Sequence, residues 1–440
     1  MKQIKLFPTS NAAFSQDEKG GMTILGLYLF GTIAIISAIA VDVSNLMSSE
    51  TQLQVAADTA GHAALYARDT HSAEDAKTAA IQMAAVGMPA VLYGDVLTTE
   101  DIKFGTWDYD TQQFTVNPTS RDAVMVNAVR LASRSNSVKN YLFQMVGQPQ
   151  FDVTTPAVFT TFYPMCFREG FVADGVVDIQ SNNSYSNGFC LHSNEYVSLN
   201  SNNTFESGTV VSMPNLDDID LPRSGYETND GLQAALRSGV YRMRILNRID
   251  SLISGLETGD PKYTPDYITN TTPITLTGGN HLDETDFTPG RIHVKTCSGN
   301  PKITLTPTVP LTEVVLVTDC EIKFSLGTAL EDVVIATRHT GSFSMNAPAA
   351  LRIGRDDGCA PGGDVQLITK GSMKFAADLE IYGGQFIAEG NIIFSANANG
   401  VEGASMVAGG TIDGTSNMDM AFCGSGMENN FEAAYFRLAR

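Results

Sequence analysis

Asp356 and Asp357, followed by Gly358 and Cys359, are the pair of residues in this chain best suited to catalysis by type and spacing. Two carboxylates can cleave a glycosidic bond: one acid protonates the leaving oxygen and the other activates water. Asp-Asp-Gly is also a common turn. A second acidic group, Asp217, Asp218 and Asp220, precedes Pro222. It reads as a solvated loop or as a weak calcium site. Arg237, Arg244 and Arg248, with Tyr241, form a local basic stripe suited to lipid headgroups or an acidic partner. The six cysteines are Cys166, Cys190, Cys297, Cys320, Cys359 and Cys423. They show no C-x-x-C and no zinc spacing. Pairing neighbours in sequence gives Cys166–Cys190, Cys297–Cys320 and Cys359–Cys423, with free buried thiols as the alternative. The histidines show no H-E-x-x-H, and there is no G-x-S-x-G elbow or P-loop. No catalytic, cofactor-binding or metal-binding residue is therefore assigned, and the expectation is a protein that is not an enzyme.

These residues sit in a chain of 440, with 28 basic and 48 acidic residues and net charge −20. Nucleic acid wants a basic face, so it is not an expected partner. Hydrophobic residues are 43%, enough for substantial cores. The length suggests two or three domains.

Gly20 to Val41 carries no charge, between Lys19 and Asp42. As a helix this run is about 33 Å long, enough to cross a bilayer. Ala38-Ile39-Ala40 fits a signal-peptidase pattern, but the run is longer than a signal core. Beyond it Leu46, Leu53, Ala57, Ala60, Ala64 and Ala67 keep helical spacing. We expect one uncleaved helix leaving the membrane. Lys2, Lys5 and Lys19 precede it, which places the N-terminus in the cytoplasm and the bulk outside, in an oxidising compartment. Gly21 and Met22 form a candidate processing site, because Gly21-Met22-Thr23-Ile24-Leu25 resembles the type IV prepilin cleavage motif. Gly26 stands where those pilins carry Glu.

Gly20-Gly21, Ala40-Val41-Asp42, and the run Leu53-Gln54-Val55-Ala56-Ala57-Asp58-Thr59-Ala60 together resemble the N-terminus of TadG-like Flp (Tad) pilus-assembly proteins. Asp42, Leu53, Gln54, Ala56, Ala57 and Asp58 are the motif residues. Phe104-Gly105-Thr106-Trp107-Asp108, Leu142 to Gly147 and Val153 to Val158 are similar to later parts of the same module, so the likeness spans residues 15 to about 165. It implies a bacterial inner-membrane protein whose partners are other Tad pilus-assembly proteins or pilin-like subunits. The D-x-S-x-S metal loop of many relatives is absent. The residues themselves predict a helix over Ser72 to Met88, a hairpin over Ile102 to Val116, strands over Val124 to Leu131 and Phe151 to Phe162, and a short helix over Val138 to Val146.

Beyond Cys166 the composition shifts to Asn, Ser, Gly and Thr between short Val/Ile runs. Glu313 to Thr318, Asp332 to Thr337, Val365 to Ile368, Gly384 to Ile387 and Ala404 to Val407 repeat at spacings of about 19, with one longer interval. Leu305, Phe324, Phe343, Phe375 and Phe394 are expected to share one register. A fixed short period with two strands per copy signals a stacked solenoid. We read a right-handed parallel β-helix, with a sandwich or propeller as the alternative. Val177 to Ser212 reads as its first coils, and residues 228–257 as a helical insertion. β-Helix pectin hydrolases also carry a Gly-His-Gly segment, which is absent.

The expected architecture is mainly β. It comprises a cytoplasmic tail (1–21), a transmembrane helix (22–43), an α+β module (44–166) and a β-helix (167–440). The expected role is structural or adhesive in Tad/Flp pilus assembly, with a surface glycan as a candidate ligand. The alternative is a membrane-tethered β-helix that cleaves or binds polysaccharide.

Overall fold

The computed structural model describes residues 20–298, 302–415 and 417–440. The readings placed on the tail, including Lys2, Lys5 and Lys19, lie outside the described residues. The described residues form two compact units, 20–162 with 434–440, and those within 163–433.

In the first unit, helix α1 (Gly20–Arg68) runs unbroken for 49 residues. Its first part is one face of nothing in the protein: the most apolar stretch is unburied. Its second part is core. Leu53, Ala57, Ala60 and Ala64 are fully buried, and Leu46 and Ala67 pack beside them. Helix α2 (Ala73–Gly87) starts at Ser72, whose hydroxyl accepts the Asp75 N–H at 3.2 Å, and contributes buried Ala76, Ala80 and Ala84. Strands β1 (Ile102–Asp108), β2 (Gln113–Val116) and β3 (Ala123–Arg130) join Val153–Phe162 and Tyr435–Leu438 in an antiparallel sheet. A Cβ on Gly61 would meet the Phe159 ring at 2.7 Å, so glycine permits the approach of α1 to this sheet.

Two expectations are corrected here. The segment over Val138 to Val146 is a two-residue strand, Val138–Lys139, and a 3₁₀ turn, Phe143–Val146, instead of one helix. Val138 pairs with Phe151 across a small sheet, which extends the backbone there. The last residues also depart from the boundary drawn at 167–440. Tyr435–Leu438 pairs along Val153–Phe162, whose outer edge would otherwise be open. Arg437 sits over the rings of Tyr109 and Phe162, at 4.9 and 5.3 Å.

In the second unit the described residues hold a sheet of 23 strands whose pairings are all parallel. The pairings fall into three runs. The longest passes through Arg291–Lys295, Leu311–Thr318, Ala329–Thr337 and Val365–Thr369, then residues 384–388 and 404–408. It does not end there. Ser405 pairs with Gly170 and Ala408 with Ala173, and the run continues through Cys190–Ser193, Val210–Met213 and Leu236–Ser238. Residues 170–213 thus follow the C-terminal strands in space, although they precede them in sequence.

Both faces of the strands in the middle of the longest run are covered, which explains their continuous apolar sequences. Val314, Leu316, Val333, Ile335 and Leu367 face the main core. Val315, Val317, Val334, Ile368 and Ile387 pack with Ile249, Leu252, Ile253 and Leu256 of the helix Ile249–Thr258. The helical insertion over 228–257 is shorter than expected. Only Leu232–Ala235 and Ile249–Thr258 are α-helical, and Leu236–Ser238 is a strand paired with 211–213. Ser238-Gly239 weakens the helix, and the open strand edge offers a better partner.

The repeated phenylalanines also need a correction. The register row runs Leu305, Phe324, then Ala347 opposite Phe375, then Phe394 and Gly414. Phe343 is half exposed under the Lys374 ammonium, at 5.3 Å. Residues 338–344 lengthen the connection before this strand, so Ala347 occupies the place expected for Phe343. Gly414 leaves room for its neighbour: a Cβ there would meet Phe394 at 2.8 Å.

Asparagines order one set of turns. Asn182, Asn202 and Asn417 adopt left-handed backbone, at φ 60°, 64° and 64°. Asn183 and Asn203, next to two of these, are buried in a ladder with Asn229. The Asn183 side chain donates to Asn203 Oδ1 at 2.9 Å, and Asn203 donates to Asn229 Oδ1 at 3.0 Å.

Candidate functional site

The candidate site with the clearest construction is the point where α1 changes environment. Asp42 is the first charge after the apolar run, and it is fully buried. Its carboxylate accepts the backbone N–H groups of Tyr141, Leu142 and Phe143 at 2.7, 2.9 and 2.6 Å. Three donors compensate a buried carboxylate that would otherwise be costly. One turn along, Asn45 Nδ2 donates to the Lys139 carbonyl at 3.1 Å. The other motif residues lie further along the same helix. Leu53, Ala56 and Ala57 are buried, while Gln54 donates to Asp58 at 2.8 Å on the helix surface. The motif is therefore a docking stripe with one carboxylate latch. Gly21 and Met22 lie exposed in the first turns of α1.

Asp101 and Arg134 form a bidentate ion pair, at 2.7 Å for both contacts. Burial alone would raise the Asp101 pKa, but Arg134 and Thr98 outweigh it and hold it below the usual carboxylate value.

Of the residues proposed for chemistry in the second unit, the cysteines, Asp357 and Asp220 are engaged in structure, while Asp356, Asp217 and Asp218 are exposed. Cys166–Cys190, Cys297–Cys320 and Cys359–Cys423 are disulfides. Asp356 and Asp357 sit in the loop that the last of these ties. Asp357 Oδ1 accepts the Ala360 N–H at 2.9 Å, closing a turn. Arg355, beside them, binds Glu331 and Asp332, each at 3.1 Å. Asp217 and Asp218 lie on an exposed 3₁₀ turn, and Asp220 accepts from Ser198 at 3.1 Å. The described residues whose ligand atoms converge closely enough to share an ion are Cys297, Asp319 and Cys320, and Cys359, Glu402 and Cys423. The sulfurs of both groups are consumed in disulfides, and the Asp217 group is not among them.

The basic stripe is not one helical flank. Arg237 is in a strand, where its guanidinium binds the Ala234 and Leu236 carbonyls, and Arg248 ends a 3₁₀ turn. Tyr241 packs edge-on against His192, at 4.6 Å.

Sequence reasoning passed over two buried groups. His192 bonds Ser212 Oγ at 2.7 Å and Asn194 Oδ1 at 3.0 Å, and burial holds its pKa below 6.5 against the Asn194 bond. Glu169 accepts the N–H groups of Cys423, at 2.6 Å, and Gly424. Burial pushes its carboxyl up, and these two bonds pull it back only in part. It borders a cavity of about 260 Å³ with Arg168, Glu428 and Glu432, where Arg168 and Glu432 pair at 2.6 Å. Neither group has a local motif: Ser212 lies 20 positions from His192, and Cys423 lies 254 from Glu169.

Comparison with family models gives two matches. Residues 170–424, more than half of the chain, match the Domain of unknown function (DUF7867). The chain belongs to the DUF7867 family. In this DUF7867 protein, residues 20–80 also match the Flp pilus-assembly TadE/G-like family. That match covers the apolar helix, Asp42, the buried stripe of α1 and the first half of α2. No curated protein and no solved structure matches the chain.

Proposed function

We propose that this DUF7867 protein is a membrane-anchored extracytoplasmic component of Flp pilus assembly, with a structural or adhesive role rather than a catalytic one. One observation carries the reading. A single helix matched by the TadE/G-like family is unburied over its apolar part and buried as core beyond Asp42. A long apolar surface left uncovered in water is unstable, and a bilayer covers it. The positive residues before the span orient the bulk outward. We read the three parallel runs as coils of a right-handed β-helix, whose exposed flank is the surface offered to another pilus-assembly protein, a pilin-like subunit or a glycan. The turn that Asp357 closes with the Ala360 N–H supports a structural reading of this loop.

The test is made in the native cell. Membrane fractionation with protease added to spheroplasts is expected to find the protein in the inner membrane and cleavable from outside. Deleting its gene is expected to reduce surface Flp pili. Soluble protein and unchanged pili would overturn the reading. The order of coils is tested separately. Asn182 Nδ2 lies 3.1 Å from Asn417 Oδ1, so Asn182→Cys with Asn417→Cys should form a crosslink in the oxidised full chain. Its failure to form counts against the β-helix.

A further inference from the structure

The Asp42 latch does more than dock a loop. It fixes residues 139–147 at a defined height on α1, the level at which the apolar run ends. At this height the helix itself exposes Ile39, Val43 and Met47. The latched segment exposes Tyr141 at 61% and Met145 at 83%, while Phe143 turns inward against Phe151 at 6.0 Å. Lys139 is exposed at the start of the same segment. A tyrosine, a methionine and a lysine, displayed outward where a span leaves the hydrocarbon, match the chemistry of the bilayer interface. Aromatic rings favour the headgroup level, and lysine reaches lipid phosphates. The latch also meets the condition for backbone near lipid: the N–H groups of 141–143 are satisfied by Asp42 instead of by water.

We propose that residues 139–147 are a second membrane contact, a foot that enters the headgroup region of an anionic bilayer beside the span. Tyr141 and Met145 enter the lipid, and Lys139 meets phosphate. The proposal rests on the reading of α1 as a membrane anchor. The foot fixes the rotation and tilt of the first unit on the bilayer, which a single helix crossing does not.

Trp107 is the only tryptophan in the sequence, so Trp107→Phe supplies a silent background for single reporters in the full chain. The chain is placed in vesicles of phosphatidylethanolamine and phosphatidylglycerol containing brominated lipid. Three reporters are compared: Leu29→Trp within the span, Met145→Trp in the foot, and Val86→Trp on α2, where the native side chain is 78% exposed. The expected result is deep quenching for Leu29→Trp, shallow quenching with a blue shift for Met145→Trp, and neither for Val86→Trp. Water-exposed emission from Met145→Trp, with Leu29→Trp still quenched, overturns the foot and leaves the anchor standing. Absence of quenching at Leu29→Trp overturns the anchor, and the foot with it. Equal quenching at Val86→Trp also overturns the foot, because the whole unit would then lie on lipid.

Discussion

The two units bury apolar surface in opposite ways. The first is packed with small residues: Ala57, Ala60 and Ala64 of α1, with Ala76, Ala80 and Ala84 of α2. The second is filled with large ones. Phe171 lies 5.1 Å from Phe189 and 5.4 Å from Phe394, edge to face, and Tyr185 stacks on Phe205 at 4.5 Å. Helix on helix gains its dispersion energy from close backbones, which any added methylene spoils. Stacked strands hold their backbones at a spacing set by hydrogen bonds, so side chains must fill the interior.

This contrast can be broken by exchanging the two kinds of change. Phe171→Ala should cost roughly 3–5 kcal/mol, because ladder hydrogen bonds prevent the second unit from collapsing into the cavity. Denaturant titration should show the loss in that unit's transition alone. A loss below about 1 kcal/mol would show a core that closes up freely. Opening Cys359–Cys423 by Cys→Ala at both positions should cost roughly 2–4 kcal/mol. It closes a longer loop than Cys166–Cys190, 64 residues against 24. Thermal unfolding of the two double variants should rank them in that order, and the reverse ranking would contradict the loop-entropy account. In the first unit the opposite substitution is the damaging one: Ala60→Leu should cost about 1–3 kcal/mol through overpacking. A stabilised Ala60→Leu would mean the helices can separate.

The smallest effect is a pH dependence confined to the second unit. Burial lowers the pKa of His192 in the folded state. The unfolded state therefore binds more protons below about 6.5, and His192's contribution to stability falls as pH drops below that value, then levels off beneath the folded pKa. Glu169, whose folded pKa is raised, acts in the other direction: its contribution falls as pH rises above about 4.5. The advantage of wild type over His192→Gln should therefore shrink as pH falls below 6.5, measured by denaturant midpoints. A constant difference would place the histidine's stabilising role in packing alone.

Much of the N-terminal unit was legible because its signals are local. A run without charge, an Ala stripe at helical spacing and Ser72 before α2 depend only on nearby residues. The motif around Leu53 to Ala60 identified the family segment, and the match over 20–80 covers it. The role of Asp42 was not legible, since its three donors lie about a hundred positions away. In the second unit the repeat spacing located the strands, yet the Phe343 register failed. A longer connection between paired strands shifts the pairing by four residues, and spacing alone cannot tell which phenylalanine is displaced.

By itself the sequence determined the apolar helix and its continuation, the strand repeat and the absence of familiar catalytic motifs. These follow from periodicity and composition, which act within a few residues. Only the tertiary structure decided that residues 170–213 continue the C-terminal strands, that Tyr435–Leu438 returns to the first sheet, and that Asp42 holds residues 141–143. Each is a pairing of an open strand edge or a buried charge with a partner remote in sequence. Unsatisfied hydrogen bonds demand such a partner, and only the folded chain can choose which one it is.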